Sequence, residues 1–163
     1  MPGSRTGIGE IATTLRKQGI NATVQSAWDW QALATEAAAK YKRGQLRVII
    51  LVGYSAGAGS VASMTARLGE LGVPVKLAIT LDSVFPSVAN GRVERFVNYY
   101  GRGMSVGLGG QFSGKLQNVY LDGIPNLDHS NLGSKEIVQR RVIQDIDAAI
   151  NNFAARLGRA PTR

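Results

Sequence analysis

The amino-acid sequence predicts an α/β fold, a three-layer sandwich in which helices cover both faces of a mostly parallel sheet. Strand-like and helix-like segments alternate along the chain, a pattern typical of parallel sheets with helical crossovers. The branched apolar runs Leu46 to Val52 and Val75 to Leu81 indicate strands buried on both faces, the first of them central. Since 163 residues, 44% of them hydrophobic, suit one core, we expect residues 1–163 to form a single domain.

Four helices are predicted from apolar residues that recur at helical spacing. In chain order they span Ile8 to Gln18, Trp28 to Tyr41, Ala56 to Leu71 and Ser134 to Leu157. Each of the first three is followed by a glycine, which commonly ends a helix. The fourth begins at Ser134, a residue type that caps helix N-termini well.

The remaining segments are predicted to be short strands and one irregular region. Ala22 to Gln25 and Leu116 to Leu121 indicate short strands. Residues 83–115 break the alternation because they combine a proline with many glycines. We expect this region to be an irregular insertion or lid, with a short helix around Val93 to Tyr100.

Composition argues against several classes of function. The formal charge is +8, but the cations are spread along the chain without a DNA- or RNA-reading motif, so we expect no nucleic-acid partner. The chain has no cysteine and one histidine, which argues against a zinc site, and no metal or other cofactor is expected. Because no apolar run approaches the roughly 20 residues of a membrane span and the start lacks the apolar middle of a signal peptide, we expect a cytoplasmic protein without a membrane span.

One motif points to catalysis by a serine nucleophile. Gly53 to Gly57 reads G-Y-S-A-G and fits G-x-S-x-G, in which a serine sits on a tight turn between a strand and a helix, with glycines required by the close backbone. The segment Gly103 to Gly107 also matches, but no apolar strand precedes it and no helix pattern follows it. Context therefore selects Ser55 as the nucleophile, and the N–H of Ala56 is expected to stabilise a developing oxyanion.

A serine nucleophile needs a base, and a carboxylate that orients it. His129 is the only histidine and lies in a loop after the last predicted strand, where it can reach the carboxyl ends of the strands. Asp82 ends the strand that follows the elbow strand, and the order Ser55, Asp82, His129 is the order expected of such a site. Asp122 is the alternative acid, whereas Asp128 is too close in sequence to His129 to orient it.

The segments Val52 to Gly57, Thr80 to Asp82 and Leu127 to Ser130 together resemble the α/β-hydrolase superfamily, in particular its thioesterase-like and lipase-like serine hydrolases. The resemblance covers nearly the whole chain and implies hydrolysis of a small-molecule acyl ester or thioester through an acyl-serine intermediate. A thioesterase is the leading interpretation. A lipase or carboxylesterase is one alternative, and a non-catalytic binding protein that keeps the elbow as architecture is another.

The chain departs from this family at its start. The family has at least one strand before its first helix, and the loop after that strand supplies a second N–H to the oxyanion. Nothing apolar precedes Ser4 here. We therefore expect either that the coding frame continues upstream of Met1 into an apolar strand, or that Gly3 or Ser4 supplies the second N–H.

Overall fold

The structure is a computed structural model that describes residues 7–158. Its sheet has four strands in the order β1-β2-β3-β4, and every neighbouring pair is parallel. The strands are β1 (Ile50–Tyr54), β2 (Val75–Leu81), β3 (Val88–Tyr100) and β4 (Gly107–Tyr120). The helices are α1 (Ile8–Lys17), α2 (Trp30–Lys42), α3 (Ala56–Glu70) and α4 (Glu136–Gly158). The predicted α/β class is thus confirmed.

Two apolar cores, one on each face of the sheet, give the three layers. Leu68 of α3 and Phe96 of β3 belong to the core under α2 and α3. Val142 of α4 belongs to the other core, under α1 and α4. Because successive side chains of a strand point to opposite faces, β2 sends Ala78 to the first core and Ile79 to the second. Within residues 7–158, no helix is long and apolar enough to cross a membrane.

The strand that leads to Ser55 is shorter and less central than predicted. Its first hydrogen bond to β2 is donated by the N–H of Lys76 to the carbonyl of Ile49, and β2 offers no earlier residues with which Leu46 could pair. In the described part of the chain β1 is an edge strand of the sheet. By contrast, β2 has the predicted limits and α3 ends one residue before the predicted Leu71.

Two smaller predictions were wrong. Residues 22–25 do not form a strand, because no neighbouring strand pairs with them. Ser134 does not cap α4, since it belongs to a short 3-10 turn (Leu132–Ser134) and its hydroxyl donates to the carbonyl of Asn131. That turn buries Leu132 in the second core, and α4 begins at Glu136.

The prediction for residues 83–115 was also wrong, because most of this region forms the long strands β3 and β4. Val93 to Tyr100, predicted as a helix, lies in β3. Residues 96 to 99 are all buried. A strand covered on both faces lacks the alternation of apolar and polar residues that marks a half-exposed strand. A short apolar run of that kind cannot be told from a helix by periodicity.

β3 and β4 are bent rather than straight. Leu81 pairs with Tyr99, so Val88 would lie about 36 Å away along a straight β3, whereas the chain between Leu81 and Val88 reaches about 25 Å at most. The register shift between Ala89 and Gly91, where Gly91 has φ 96°, is one place where β3 turns. The first connection (residues 82–87) and the second connection (residues 101–106) consequently lie side by side at the carboxyl end of β2.

Candidate active site

Ser55 occupies a strained turn between β1 and α3. Its N–H donates to the carbonyl of Leu81 over 2.9 Å, and its own carbonyl accepts from Ala58 as α3 begins. Its backbone has φ 59° and ψ −115°, a conformation that costs a residue other than glycine about 1–3 kcal/mol. The turn leaves the side chain half-buried, which keeps its hydroxyl within reach of solvent and ligands.

Only the first glycine of the elbow is required for steric reasons. A Cβ on Gly53 would lie 2.1 Å from the carbonyl oxygen of Gly57 and 2.7 Å from Val61 Cγ2. A Cβ on Gly57 would meet no described atom within 4 Å. The expectation that both glycines are steric requirements was therefore wrong for Gly57.

The structure brings Ser55, His129 and Asp82 together in a chain of hydrogen bonds. Ser55 Oγ lies 2.9 Å from His129 Nε2, and His129 Nδ1 lies 2.6 Å from Asp82 Oδ2. The side chain of His129 is 36% exposed, whereas that of Asp82 is fully buried. Asp122 is exposed in the loop after β4, and Asp82 is the carboxylate that contacts the imidazole.

Backbone amides hold the Asp82 carboxylate in place. Asp82 Oδ1 accepts from the N–H of Gly101 over 2.9 Å and from the N–H of Gly103 over 2.6 Å. These bonds, with the one from His129, satisfy a carboxylate that would otherwise be costly to bury. A Cβ on Gly103 would lie 2.7 Å from Asp82 Oδ1, so the second connection approaches this closely only because that residue is a glycine.

A row of polar side chains fixes the second connection to the sheet. Thr80, Asn98 and Asn118, which we call the amide row, are register partners on β2, β3 and β4. Thr80 Oγ1 donates to Asn98 Oδ1, and Asn98 Nδ2 donates to Asn118 Oδ1 and to the carbonyl of Met104. Asn118 also exchanges two hydrogen bonds with the backbone of Val106. The amide row thereby positions the segment that binds Asp82.

Tyr54 supports the imidazole from the side. Its ring stacks on that of His129, with centroids 5.4 Å apart and planes 18° apart. Its hydroxyl donates to the backbone carbonyl of His129. Burial raises the pKa of Tyr54, and the charges of Asp82 and Asp128 raise it further. The phenol therefore stays a donor at neutral pH.

Asp128 shapes the loop that carries His129 rather than orienting the imidazole. Its Oδ1 accepts from the hydroxyl of Ser130 over 2.7 Å and from the N–H of Asn131 over 2.9 Å. Asn131 Oδ1 accepts from the N–H of Asp128 in return. The Ser130 hydroxyl, followed by the Asn131 amide, lowers the pKa of Asp128, which keeps the loop's acceptor charged.

Of the N–H groups expected to bind the oxyanion, the structure describes that of Ala56. Ala56 is the first residue of α3, and N–H groups in the first turn of a helix have no intrahelical acceptor. Its N–H is therefore available near Ser55 Oγ. Gly3 and Ser4, the two candidates for the second donor, lie outside the described residues. No group of three or more His, Cys, Asp or Glu side chains that could hold a metal ion occurs within residues 7–158.

No protein-family model matches the chain, and neither a curated protein nor a solved structure is detectably similar to it. Its function must therefore be inferred from the chemistry of these side chains and their surroundings.

Exposed apolar side chains lie on the two connections beside Asp82 and at the starts of β3 and β4. Val84, Phe85, Val88, Met104 and Leu108, which we call the apolar rim, are all exposed, Phe85 to 66%. They lie on adjacent segments, since the N–H of Met104 donates to the carbonyl of Ser83 next to Asp82. Neither residues 83–91 nor residues 103–114 contain a charged side chain. Large apolar side chains exposed together in one region indicate a candidate binding surface.

Sequence reasoning missed the residues that support the three side chains. Tyr54 stands beside the serine of the motif, but its aromatic ring could equally have belonged to the core. In the sequence, Gly103 stands out only as the first glycine of the second G-x-S-x-G match. The amide row had one visible signal, namely that its three members each lie one or two residues before the end of a strand.

Proposed function

We propose that the chain is a serine hydrolase that cleaves an ester or thioester through an acyl-serine intermediate. One observation carries the proposal: the hydrogen-bond chain from Ser55 Oγ through both ring nitrogens of His129 to the buried carboxylate of Asp82. This arrangement of nucleophile, base and orienting acid is recognised by its geometry and occurs on unrelated folds.

The acylation step uses all three side chains. Ser55 Oγ attacks the acyl carbonyl carbon while His129 Nε2 takes the hydroxyl proton. The carbonyl electron pair moves onto oxygen, and the N–H of Ala56 stabilises the resulting oxyanion. When the oxyanion collapses, the bond to the alcohol or thiol breaks and His129 returns the proton to that leaving group. Asp82 stabilises the imidazolium between these transfers.

Deacylation repeats the same chemistry with water. His129 takes a proton from water, the hydroxide attacks the acyl-serine ester, and the carboxylic acid leaves as Ser55 recovers its proton. His129 is partly exposed, so water can approach it from the solvent side. The Tyr54 ring covers one face of the imidazole and limits its rotation between the two steps.

The apolar rim supports an apolar acyl group rather than a charged one. A charged acyl chain would lose hydration against Phe85 and Met104. Among residues 83–91 and 101–114, only the exposed Arg102 carries a charge that could pair with it. Trp28, 87% exposed, lies in a short turn against α3, where the Ser60 hydroxyl donates to the neighbouring carbonyl of Ala27.

Labelling with a fluorophosphonate tests the proposal directly, because the reagent phosphonylates only an activated serine. We expect the wild-type chain to be labelled, Ser55→Ala to show no labelling, and His129→Ala to be labelled far more slowly. Absence of labelling in a folded wild-type sample would instead favour a non-catalytic binding protein.

A substrate panel separates the kinds of hydrolase. Rates of p-nitrophenyl esters and of acyl thioesters with the same acyl groups give kcat/KM for oxygen and sulfur leaving groups. A preference for thioesters supports a thioesterase, and a preference for esters supports a carboxylesterase or lipase. Equal rates on charged and apolar acyl groups would contradict the role given to the apolar rim.

A further inference from the structure

A cavity lies at the amino ends of the strands, at the opposite end of the sheet from Ser55. Its volume is about 330 Å³, within the range of small-molecule sites. Val75 at the start of β2 lines it, whereas Asp82 follows the end of β2, about 20 Å further along the strand. The cavity is therefore separate from the proposed hydrolytic site.

Four cations meet at this cavity although they are far apart in sequence. They are Arg47, Lys76, Arg92 and Arg156. They come from the segment before β1, from β2, from β3 and from α4, so the fold gathers charges that the sequence spreads along the chain. Glu94 is the one carboxylate among the described lining residues, and it leaves the wall with an excess of positive charge.

Two of these four cations, Lys76 and Arg156, already form ion pairs. Glu94 pairs with Lys76 over 2.6 Å and with Arg156 over 2.8 Å. The Lys76 side chain is only 11% exposed and also donates to Asn152 Oδ1. Among residues 7–158, neither Arg47 nor Arg92 has a carboxylate partner. Their guanidinium groups are thus available to an anion.

The rest of the cavity wall is partly apolar, which sets a second requirement on the ligand. Val48, Pro74 and Phe153 line the cavity beside the cations. An inorganic anion would leave this apolar surface unused, whereas an organic molecule could cover it. A nucleic-acid backbone is recognised by a stripe of cations along a surface, and here the cations converge on one cavity.

We propose that this cavity binds a phosphate group carried by a small organic molecule. Guanidinium groups match phosphate oxygens with two parallel hydrogen bonds. Arg47 and Arg92 supply these donors. Lys76, which is held in place by its ion pair, adds a positive charge to the cavity wall. The body of the ligand lies against Phe153 and Val48.

Isothermal titration calorimetry on the full chain tests the proposal with three probes: ADP, inorganic pyrophosphate and adenosine. We expect ADP to bind most tightly, pyrophosphate to bind more weakly, and adenosine to give no measurable heat. The double variant Arg47→Gln/Arg92→Gln should lose at least about tenfold in ADP affinity, which corresponds to about 1.4 kcal/mol.

The matched control is Arg102→Gln/Arg140→Gln, which removes the same charge from exposed arginines outside the cavity. It should keep the wild-type affinity for ADP, and thermal denaturation should show both double variants folded. Equal losses in the two double variants would overturn the proposal in favour of unspecific charge attraction, as would absent ADP binding. Tighter binding of double-stranded DNA that excludes ADP would also overturn it.

The test does not depend on hydrolysis. Ser55→Ala should bind ADP as the wild type does, because Ser55 lies at the other end of β2. Loss of ADP binding in Ser55→Ala alone would contradict the location of the site. Failure of the fluorophosphonate experiment would leave this binding unchanged.

Discussion

The two G-x-S-x-G segments of the chain have the same pattern and opposite surroundings. Gly53 to Gly57 joins β1 to α3, and its serine adopts a strained backbone next to an imidazole. Gly103 to Gly107 lies in the second connection and runs into β4, and its Ser105 is exposed. The pattern acquires chemical meaning only where a strand precedes it and a helix follows it.

The second segment nevertheless contributes to the same site. Gly103 gives its N–H to Asp82, and the neighbouring Met104 and Val106 are bound by the amide row. The first segment thus contributes the serine side chain to the site, and the second contributes a backbone N–H group that binds Asp82. Paired substitutions in the two segments test this division of roles.

The largest expected difference is between the two serines. Ser55→Ala should lower kcat/KM for an ester substrate by a factor on the order of 10⁵, because removing the nucleophile disables the hydrogen-bond chain as a unit. Ser105→Ala should change it by less than about twofold, since this exposed serine contacts none of the three side chains. Initial rates on a p-nitrophenyl ester measure both. Activity that survives in Ser55→Ala and falls in Ser105→Ala would reverse the comparison.

The next effect concerns the two glycines of the first segment. Gly53→Ala places a Cβ 2.1 Å from the carbonyl oxygen of Gly57, and overpacking against backbone should lower the free energy of unfolding by about 3 kcal/mol. Gly57→Ala meets open space and should raise it by about 0.5 kcal/mol, because alanine is a better helix former. Urea unfolding measures the difference, and equal stabilities would contradict it.

A smaller effect is expected at the glycines of the second segment. Gly103→Ala pushes against Asp82 Oδ1 at 2.7 Å, so we expect a loss of about 2 kcal/mol in stability and a fall in kcat on the order of 100-fold as Asp82 shifts from the imidazole. In Gly107→Ala the new Cβ lies 3.4 Å from Val88 Cγ1, an ordinary contact. Wild-type kcat in Gly103→Ala would show that the second connection does not position Asp82.

The smallest effect tests the residue that precedes each serine. Tyr54→Phe removes the hydrogen bond to the His129 carbonyl, and should cost about 1 kcal/mol of stability. The pKa of Tyr54 is raised by burial, so folding favours the protonated phenol. This contribution is complete below about pH 10, the ordinary pKa of tyrosine, and is lost as the pH rises through the raised pKa.

Urea unfolding between pH 8 and pH 11 measures this difference between wild type and Tyr54→Phe. Tyr120→Phe, which alters an exposed ring, is the control and should show no such trend. A difference that grows above pH 10 would contradict the assignment. Met104→Leu, at the corresponding position of the second segment, should leave stability nearly unchanged.

The regular parts of the fold were accessible to sequence reasoning. Apart from Lys76 and Thr80, the run Val75 to Leu81 is apolar because β2 is covered by helices on both faces, and its composition shows this directly. The small residues of α3 let it pack closely on the sheet. The strand ends then indicated where Ser55 and Asp82 lie, because carboxyl ends of parallel strands share one edge of the sheet.

The supporting contacts could not be predicted because they depend on long-range pairing. Gly101 and Gly103 act through their backbone N–H groups and have no side chain that would indicate a role. Their position follows from the bend in β3, which sequence periodicity does not encode. Likewise, Arg47 and Arg92 come to line one cavity only when β1 and β3 occupy the same sheet.

The amide row has a consequence for how the chain folds. β4 is rich in glycine and mostly exposed, so its hydrophobic pattern specifies its alignment with β3 only weakly. Sliding β4 by one residue would turn Asn118 to the opposite face and leave the buried amide of Asn98 without that partner, a penalty of about 1–3 kcal/mol. A single asparagine pair can therefore select one alignment among several that are otherwise nearly equal in energy.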